Sequence, residues 1–402
     1  MRRMAAALLL TALLAGCGGR VPDSRAAPPE VDARLGAASV AFGIDLLKEV
    51  YNGGNALLSP VSAGIVLSLT GAGARGETQA EFWEALRLDG LTQEEIQAGN
   101  RSLHAVLTRP DPKVEVSLAN AVWRRPDVAV EDDFVDLART YYGATVDEAE
   151  FGTPAGTARL NEWTDEATRG KIKKLLEQTT PDTVMVLANA LYFKGAWSAA
   201  FDPQRTRGGT FTTAAGTERT VFFMERDGQW EVLGPGEAHT GEARVKGVRL
   251  PYGEGRIAMY LFVPDDLHRF IEDLTAERWA GLLEAFTPRE GLVRVPRFRL
   301  ELTHELNEPL QALGLRRAFD GAAADFAGIF GEGVRGIAIT EVLQRTYMEV
   351  NEEGTEAAAA TGVAMRESAP VPLMEVNRPF LLAVRDDESG ALLFLGVVTD
   401  PA

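Results

Sequence analysis

The pattern most suggestive of chemistry lies in the first quarter of the chain, where glycines follow an apolar run. Gly71, Gly73 and Gly76 have the spacing G-x-G-x-x-G, and Glu94 and Glu95 follow about twenty residues later. After a buried strand, such a loop would hold the pyrophosphate of a dinucleotide, with an acidic residue on the ribose. The preceding run instead begins with Ser-Pro and has helical spacing, which favours a glycine-rich helix end.

Other catalytic signatures are missing from the sequence. It contains no G-x-S-x-G nucleophile elbow, no H-E-x-x-H zinc helix and no phosphate loop ending in Lys-Ser or Lys-Thr. The histidines are isolated in polar or helical surroundings: His104, His239, His268 and His304. We therefore expect no enzyme, no metal site and no cofactor.

The single cysteine, Cys17, excludes an intramolecular disulfide and ends a stretch typical of export signals. Arg2 and Arg3 precede an apolar run of about a dozen residues, too short to span a bilayer as a helix. The run ends in Leu-Ala-Gly-Cys, which resembles the processing box of bacterial lipoproteins. We expect a lipoprotein signal peptide at residues 1–16, a flexible tether at 17–33 and lipidation of Cys17. The protein would then be exported and anchored in a membrane, facing the periplasm or the extracellular space.

The most regular pattern lies over residues 341–350, near the C-terminus. Val342, Gln344, Thr346, Met348 and Val350 would share one face of a strand. Charged residues are confined to the other face, so the alternation predicts a β-strand with the first face buried.

This strand is followed by a segment of small side chains, in which Glu356 is the charged exception. Taken alone, its Glu-Ala-Ala-Ala-Ala stretch favours a surface helix. With a period of two, Thr355, Ala357, Ala359 and Thr361 are small enough to enter a packed interior as alternate residues of a strand. The segment therefore fits both a loop and a buried strand.

Composition and patterning place these motifs in one globular unit. The chain has 402 residues, 46% of them hydrophobic, and a net charge of −17, which disfavours nucleic acid as a partner. Helical spacing dominates the first third, at residues 34–50, 60–69 and 77–88, whereas strands predominate later, at 114–118, 184–193, 257–263, 292–302 and 391–398. Helices are predicted between them near residues 161–176, 267–286 and 304–313. This order predicts an α+β fold with one domain over residues 34–402.

Five motifs in chain order resemble the serpin family and together cover the chain from about residue 34 to its end. They are residues 55–62 with 73–78, 161–163 with 168–172, 189–197, 352–361, and 377–380 with 393–401. The first motif includes the glycine pattern described above. The resemblance implies the serpin fold, with a mainly helical N-terminal part, a large, mostly antiparallel central sheet, smaller sheets and an exposed reactive-centre loop at about residues 352–372.

The resemblance implies a serine protease inhibitor that acts as a suicide substrate. A target protease would cleave the loop and stay attached as an acyl-enzyme while the hinge of the loop inserts into the central sheet, as is known for the family. The implied hinge comprises Glu352, Glu353, Gly354, Thr355, Glu356, Ala357, Ala358, Ala359, Ala360 and Thr361.

The family spacing implies cleavage between Ser368 and Ala369, counted from Gly354 or back from Pro379. A small residue at this bond suits elastase-like or subtilisin-like proteases. Cleavage between Arg366 and Glu367 by a trypsin-like enzyme is the alternative.

The resemblance also implies a region at which the central sheet opens, formed by Ser59, Ser62, Asn189, Trp197 and Gln344. Many serpins have a histidine where this chain has Gln344, and an amide can likewise donate and accept hydrogen bonds. No dense basic helix occurs in residues 80–125, so we expect no heparin-like activator, and we expect a monomer. Two alternatives remain, a non-inhibitory binding protein of the same fold and a dinucleotide-binding enzyme.

Overall fold

A computed structural model describes residues 31–234, 239–240, 243–355 and 373–402. Within these residues the chain forms ten α-helices. The helices are α1 (Ala33–Val50), α2 (Pro60–Gly73), α3 (Gly76–Ala85), α4 (Gln93–Leu107), α5 (Asp132–Tyr142), α6 (Pro154–Ala167), α7 (Leu267–Glu272), α8 (Ala276–Glu284), α9 (Asn307–Ala312) and α10 (Ala327–Phe330). Two short 3-10 helices cover Pro203–Arg205 and Arg317–Phe319.

The same described ranges contain sixteen strands. They are β1 (Ala56–Leu58), β2 (Val114–Arg124), β3 (Thr145–Glu148), β4 (Met185–Ala196), β5 (Arg207–Thr212), β6 (Glu218–Leu233), β7 (His239–Thr240), β8 (Ala243–Pro251), β9 (Ile257–Pro264), β10 (Thr287–Pro296), β11 (Phe298–Glu305), β12 (Glu341–Val350), β13 (Gly354–Thr355), β14 (Met374–Glu375), β15 (Phe380–Asp386) and β16 (Leu392–Val398).

The strands form two sheets, and helices pack against both of them. One sheet has the order β1-β16-β15-β9-β8-β6-β10-β14, with β5 paired to β6 and β7 to β8. The other, here called the central sheet, has the order β11-β12-β13-β4-β2-β3. In the central sheet β12 pairs with β4, and β2 with β3, in parallel, while the other pairs are antiparallel. The predicted α+β class is confirmed.

Helix α2 packs between the two sheets, against β2, β4 and β16. Ser59 is its N-cap, and its side-chain oxygen accepts a hydrogen bond from the Ser62 N–H at 3.3 Å. Pro60 follows as the first helical residue, where no N–H is needed. The helix ends at Gly73 and α3 begins at Gly76, so the glycine pattern is a helix end and turn, as predicted, and does not follow a strand.

Strand β12 has the predicted bounds, and the face that begins with Val342 is buried as predicted. The opposite face is also partly covered. Leu343 lies in a small apolar cluster with Leu160 of α6, with Leu175 and with Val186 of β4. The central sheet is therefore packed on both sides in this region.

Several predicted elements have different bounds in the structure, and the predicted helix 267–286, for example, is two helices, α7 and α8. The strand predicted over residues 292–302 is two strands in different sheets, β10 and β11. The Arg297 N–H still donates to the Phe222 carbonyl of β6 at 2.8 Å, and from Phe298 onward the chain pairs with β12 instead. Predicted helix 161–176 ends at Ala167, and predicted helix 304–313 begins only at Asn307, because His304 pairs with Gln344 in the central sheet. No helix in the described residues is long and apolar enough to cross a bilayer.

Candidate functional site

A tight turn after β12 returns the chain into the central sheet. Thr355 of β13 pairs antiparallel with Val350 of β12 on one side and with Gly195 of β4 on the other. Nearer the start of β12, β12 and β4 pair directly with each other. We call this β12–β4 border the seam. The hinge occupies one end of the seam, and the rest of the seam is closed.

Gly354 fits this position because it has no side chain. Its φ of +151° lies in a region that favours glycine, and a Cβ there would overlap the carbonyl oxygen of Gly195 on β4. The close approach of the two backbones therefore requires glycine at residue 354.

Thr355 is held by a side chain from far along the chain. Its hydroxyl lies 2.7 Å from the Tyr252 hydroxyl, and Thr355 is 2% exposed. The Tyr252 ring is stacked on Trp197 with their centroids 4.3 Å apart. Burial raises the pKa of Tyr252 far above its ordinary value, so this hydroxyl keeps its proton and the bond at neutral pH.

Trp197 and Phe201 hold the turn itself. Trp197 donates from its backbone N–H to the Glu353 carbonyl and from its indole Nε1 to the Asn351 carbonyl, both at 2.9 Å. The Phe201 N–H donates to the Glu352 carbonyl at 2.8 Å. The turn is therefore bound to the segment after β4 by three hydrogen bonds.

The Glu352 carboxylate is buried but compensated. It accepts a hydrogen bond from the Thr206 hydroxyl at 2.6 Å, and it lies 3.6 Å from Nε of Arg297. These contacts satisfy the usual condition for burying a charge, namely that it is paired and hydrogen-bonded.

The first residues of the predicted exposed loop are therefore not exposed. Glu352 is 7% exposed, and Gly354 and Thr355 belong to the sheet. The contacts with Trp197 and Tyr252 outweigh the conformational entropy that the turn loses when it is held in place. The other predicted hinge and cleavage residues lie outside the described residues: Glu356, Ala357, Ala358, Ala359, Ala360, Thr361, Arg366, Glu367, Ser368 and Ala369. Cys17 and the predicted signal peptide also lie outside them.

A second cluster closes the seam further along the strands. Gln344 of β12 donates from Nε2 to Asn189 Oδ1 of β4 at 2.8 Å and to the Ser59 carbonyl at 3.0 Å. Its Oε1 accepts the Ser59 N–H at 2.8 Å. The amide therefore uses both its donor and its acceptor, and joins the two strands to the start of α2.

Ser62 and Asn120 complete this cluster. The Ser62 hydroxyl lies 3.4 Å from Asn120 Oδ1, and Asn120 of β2 pairs with Asn189. The Nδ2 groups of both asparagines are buried and have no hydrogen-bond partner among the described residues. Buried donors without a partner are rare in native interiors, so the two Nδ2 groups of this cluster are available to a further acceptor.

The structure thus brings together four of the five predicted sheet-opening residues, Ser59, Ser62, Asn189 and Gln344. Trp197 is eight positions from Asn189 on the same chain segment, about 26 Å at 3.3 Å per residue, and serves the hinge instead. Sequence reasoning missed several participants, because no local pattern marks them: Asn120, Thr206, Tyr252 and Arg297.

Nothing in the described residues points to a metal cofactor. No group of three or more His, Cys, Asp or Glu side chains within them is arranged to hold an ion.

Known proteins resemble this chain over nearly its whole length. The family model described as Serpin (serine protease inhibitor) matches residues 37–401. Human Serpin B8 is 33% identical over 380 residues, covering 90% of this chain and 98% of that protein. The bovine leukocyte elastase inhibitor is 32% identical over 390 residues, covering 92% of this chain and all of that protein.

Solved structures also resemble this chain over most of its length. The thermophilic serpin tengpin in its native state has a TM-score of 0.81 at 28% identity, covering 93% of this chain and 96% of that one. Native protease nexin-1 with heparin has a TM-score of 0.82 at 26% identity, covering 92% and 100%. Human thyroxine-binding globulin has a TM-score of 0.83 at 23% identity, which shows the fold alone.

Proposed function

The chain belongs to the serpin family, and on this premise we propose that it is a suicide inhibitor of serine-type endopeptidases. Its relatives include proteins named as protease inhibitors. The proposal adds the mechanism, in which the cleaved loop inserts into the central sheet while the protease is still attached.

The observation that carries this proposal is the position of Thr355 between β12 and β4. A strand that enters a sheet needs a starting point and a register, and Thr355 supplies both because it already pairs with Val350 and Gly195. Continuing the same register extends the hinge along the seam one residue at a time.

This register assigns each hinge residue to a face of the sheet. Thr355 points to the buried face, so Ala357, Ala359 and Thr361 follow on that face on insertion, as the period-two pattern predicts. Small side chains suit this buried face, because large or charged side chains would be buried against α2 without a partner.

The register also explains the cluster at Gln344. Thr361 would arrive directly between Gln344 and Asn189, so insertion must break their hydrogen bond. Its hydroxyl would then meet the Asn189 Nδ2 that lacks an acceptor in the closed seam. A hydroxyl both donates and accepts, so it can replace the lost bond on both strands.

The chemistry belongs to the protease. Its serine Oγ attacks the Ser368 carbonyl carbon, the bond to the Ala369 nitrogen breaks, and that nitrogen takes up a proton as a new amino terminus. The ester that remains is carried along the sheet as the strand inserts. About fourteen residues at 3.3 Å span on the order of 45 Å. Catalysis depends on placement within about 1 Å, so distortion of the protease stops hydrolysis of the ester.

A non-inhibitory binding protein of the same fold is the second candidate. Thyroxine-binding globulin shares the fold, but that likeness concerns fold only. Small residues at 357–361 favour the inhibitor, because a binding protein has no need of an insertable hinge.

We further propose that the protein acts as a monomer, exported and held at a membrane by lipid on Cys17. The motif at residues 14–17 supports this anchor. Metabolic labelling with a fatty-acid analogue tests it, because Cys17→Ser should remove the label.

The decisive experiment mixes the protein with elastase, subtilisin, chymotrypsin and trypsin, followed by denaturing gels and mass measurement of the released peptide. We expect a denaturant-resistant complex with elastase or subtilisin, and a peptide that starts at Ala369. A trypsin complex with a peptide starting at Glu367 would move the bond to Arg366. Cleavage without any complex would favour the non-inhibitory protein.

A further inference from the structure

Arg226 of β6 is a cation without a polar partner. It is partly buried, yet its side chain has neither an ion pair nor a hydrogen bond with any residue that the structure describes. Three other arginines of the described ranges lack both kinds of contact, and all three are exposed: Arg101, Arg109 and Arg244. Arg226 therefore carries a charge that is partly removed from water without compensation, which is costly.

Two buried aromatic rings fix the guanidinium of Arg226. Its Cζ lies 4.1 Å from the centroid of the Trp230 ring and 5.9 Å from that of Phe201. The Trp230 ring is itself held, because its Nε1 donates to the Gly291 carbonyl at 3.1 Å. Burial lowers the pKa of Arg226 below its ordinary value, because desolvation disfavours the charged form. An anion at the guanidinium would restore what this burial costs.

The guanidinium has one open side. Nε of Arg226 is fully buried without an acceptor, whereas the two terminal nitrogens also lack an acceptor in the described part of the chain but stay in contact with solvent. Gly228 follows on the same face of β6. A Cβ at Gly228 would lie 3.9 Å from Nη2 of Arg226 and would meet no atom closer than 3.8 Å. The missing side chain therefore leaves room for a small group beside the terminal nitrogens.

The acidic neighbours of Arg226 in sequence do not neutralise it. Glu225 and Asp227 point to the opposite face of β6, since side chains alternate along a strand. Glu225 lies 2.8 Å from Nε of Arg294, and Asp227 lies 2.9 Å from a terminal nitrogen of Arg205. Both carboxylates are thus paired on their own side of the sheet.

From these contacts we infer that Arg226 binds a carboxylate group in the space over Gly228, with its terminal N–H groups as the donors. A planar carboxylate matches the fork of a guanidinium and can accept two of its N–H groups at once. A single cation with carboxylates on both sequence neighbours suits a monoanion better than the dianion of a phosphate. Stacking on Trp230 holds the fork in place before the ligand arrives.

The position of Arg226 suggests two sources for this carboxylate. Val293 of β10 pairs with Arg226 on one side and with Met374 of β14 on the other, so the site lies two strands from the point where the chain returns from the proposed bait loop. An acidic side chain of a docked protease could supply the carboxylate, and so could a free organic acid. The first source rests on the proposed inhibitory function, whereas the site itself does not.

Titration of the ¹⁵N-labelled protein with sodium acetate at neutral pH tests the site, with the Trp230 indole N–H signal as the readout. We expect a saturable shift with acetate, and none with acetamide, its neutral analogue, or with sodium chloride at the same ionic strength. Arg226→Gln should raise the Kd for acetate at least tenfold. Arg226→Lys, which keeps the charge but not the fork, should also weaken binding.

Two further variants locate the bound acetate. Gly228→Val fills the space beside the guanidinium with a residue that suits a strand, and it should abolish the saturable shift while Arg226 is still present. Arg101→Gln is the matched control, because Arg101 is exposed and lies over the ring of Tyr141, and it should change nothing. No saturable shift in the wild type, or an unchanged Kd in Arg226→Gln or in Gly228→Val, would overturn the inference.

Rates of complex formation with elastase and subtilisin separate the two sources. If a protease supplies the carboxylate, Arg226→Gln should slow association roughly two- to fivefold at low salt and less at high salt. Equal rates, together with a saturable acetate shift, would assign the site to free organic acids. If the protein formed no protease complex at all, the proposed function would fail while the acetate titration still decided the site.

Discussion

Gln344 and Asn189 lie side by side on β12 and β4, and the hydrogen bond between their side chains closes the seam at 2.8 Å. The same two residues flank the position that Thr361 would take on insertion. The closed seam and the inserted strand therefore compete for the same amide groups.

Replacing Gln344 by alanine should destabilise the uncleaved protein. The substitution leaves the Ser59 N–H and Asn189 Oδ1 buried without partners, at a cost of about 2 kcal/mol or more. Urea unfolding followed by circular dichroism measures the loss. Gln229→Ala, on an exposed part of β6, should cost less than about 0.5 kcal/mol. Equal losses for the two variants would contradict the role of Gln344.

Thr355→Arg should convert the inhibitor into a substrate. The residue is 2% exposed, so an inserted strand would have to bury a guanidinium there. We expect the loop to be cleaved at the normal rate while the stoichiometry of inhibition rises about tenfold or more. Ala357→Pro, which removes a ladder donor, should do the same. Thr355→Ser keeps the hydroxyl and should still form complexes, and a normal stoichiometry for Thr355→Arg would refute the insertion mechanism.

Tyr252→Phe should loosen the docked hinge. It removes the partner of the Thr355 hydroxyl while keeping the ring stacked on Trp197. A lost hydrogen bond of about 1 kcal/mol should speed exchange of the Gly354 and Thr355 amides roughly fivefold. Tyr141→Phe, on α5, is the control. Unchanged exchange in Tyr252→Phe would mean that the backbone contacts alone hold the hinge.

Stability should fall on mild acidification. Burial lowers the pKa of His104 and His304, and His304 Nε2 accepts the Leu57 N–H at 3.5 Å. The unfolded chain therefore takes up protons at higher pH than the native protein, and stability present above about pH 6.5 is lost below it.

Urea unfolding at intervals from about pH 7.5 to about pH 5.5 measures this loss, in a range above the titration of most carboxylates. The double variant His104→Gln, His304→Gln should lose less over the same range. Identical losses in the variant and the wild type would assign the pH dependence to other groups.

Two glycines of α2 should respond oppositely to alanine. A Cβ at Gly64 meets nothing within 4 Å, whereas a Cβ at Gly71 would lie 2.8 Å from the Cβ of Phe82. Gly64→Ala should stabilise the protein by about 0.5–1 kcal/mol through helix propensity. Gly71→Ala should destabilise it because α3 must move. Thermal unfolding of both variants compares the two effects, and stabilisation by both would show that the contact at Phe82 relaxes freely.

Local sequence patterns predicted an element correctly where the residues that determine it are neighbours in the sequence. The alternation of residues 341–350 predicted β12 and its buried face, and Ser59 with Pro60 predicted the start of α2. Apolar alternation across residues 292–302 did not reveal the change of sheet at Arg297, because β10 pairs with β6 and β11 pairs with β12, and both partner strands are far away in sequence.

The candidate site shows the same difference between features set by neighbouring residues and features set by contacts distant in sequence. The composition of residues 355–361 indicated an insertable strand, but the extent of docking depends on Tyr252 and Trp197, which no local pattern connects to the hinge. Likewise Asn120 joins the Gln344 cluster only because β2 lies beside β4.

The antiparallel pairing of Thr355 with Val350 also constrains how the loop can change in evolution. Side chains alternate between faces, so one residue added between Thr355 and Thr361 would turn every later hinge residue to the opposite face. In the proposed inserted strand Glu356 would face outward, and a shift ahead of it would bury its charge. Under the proposed mechanism, residues beyond the hinge could therefore vary in number and type to meet new proteases, whereas the hinge itself could gain or lose residues only in pairs.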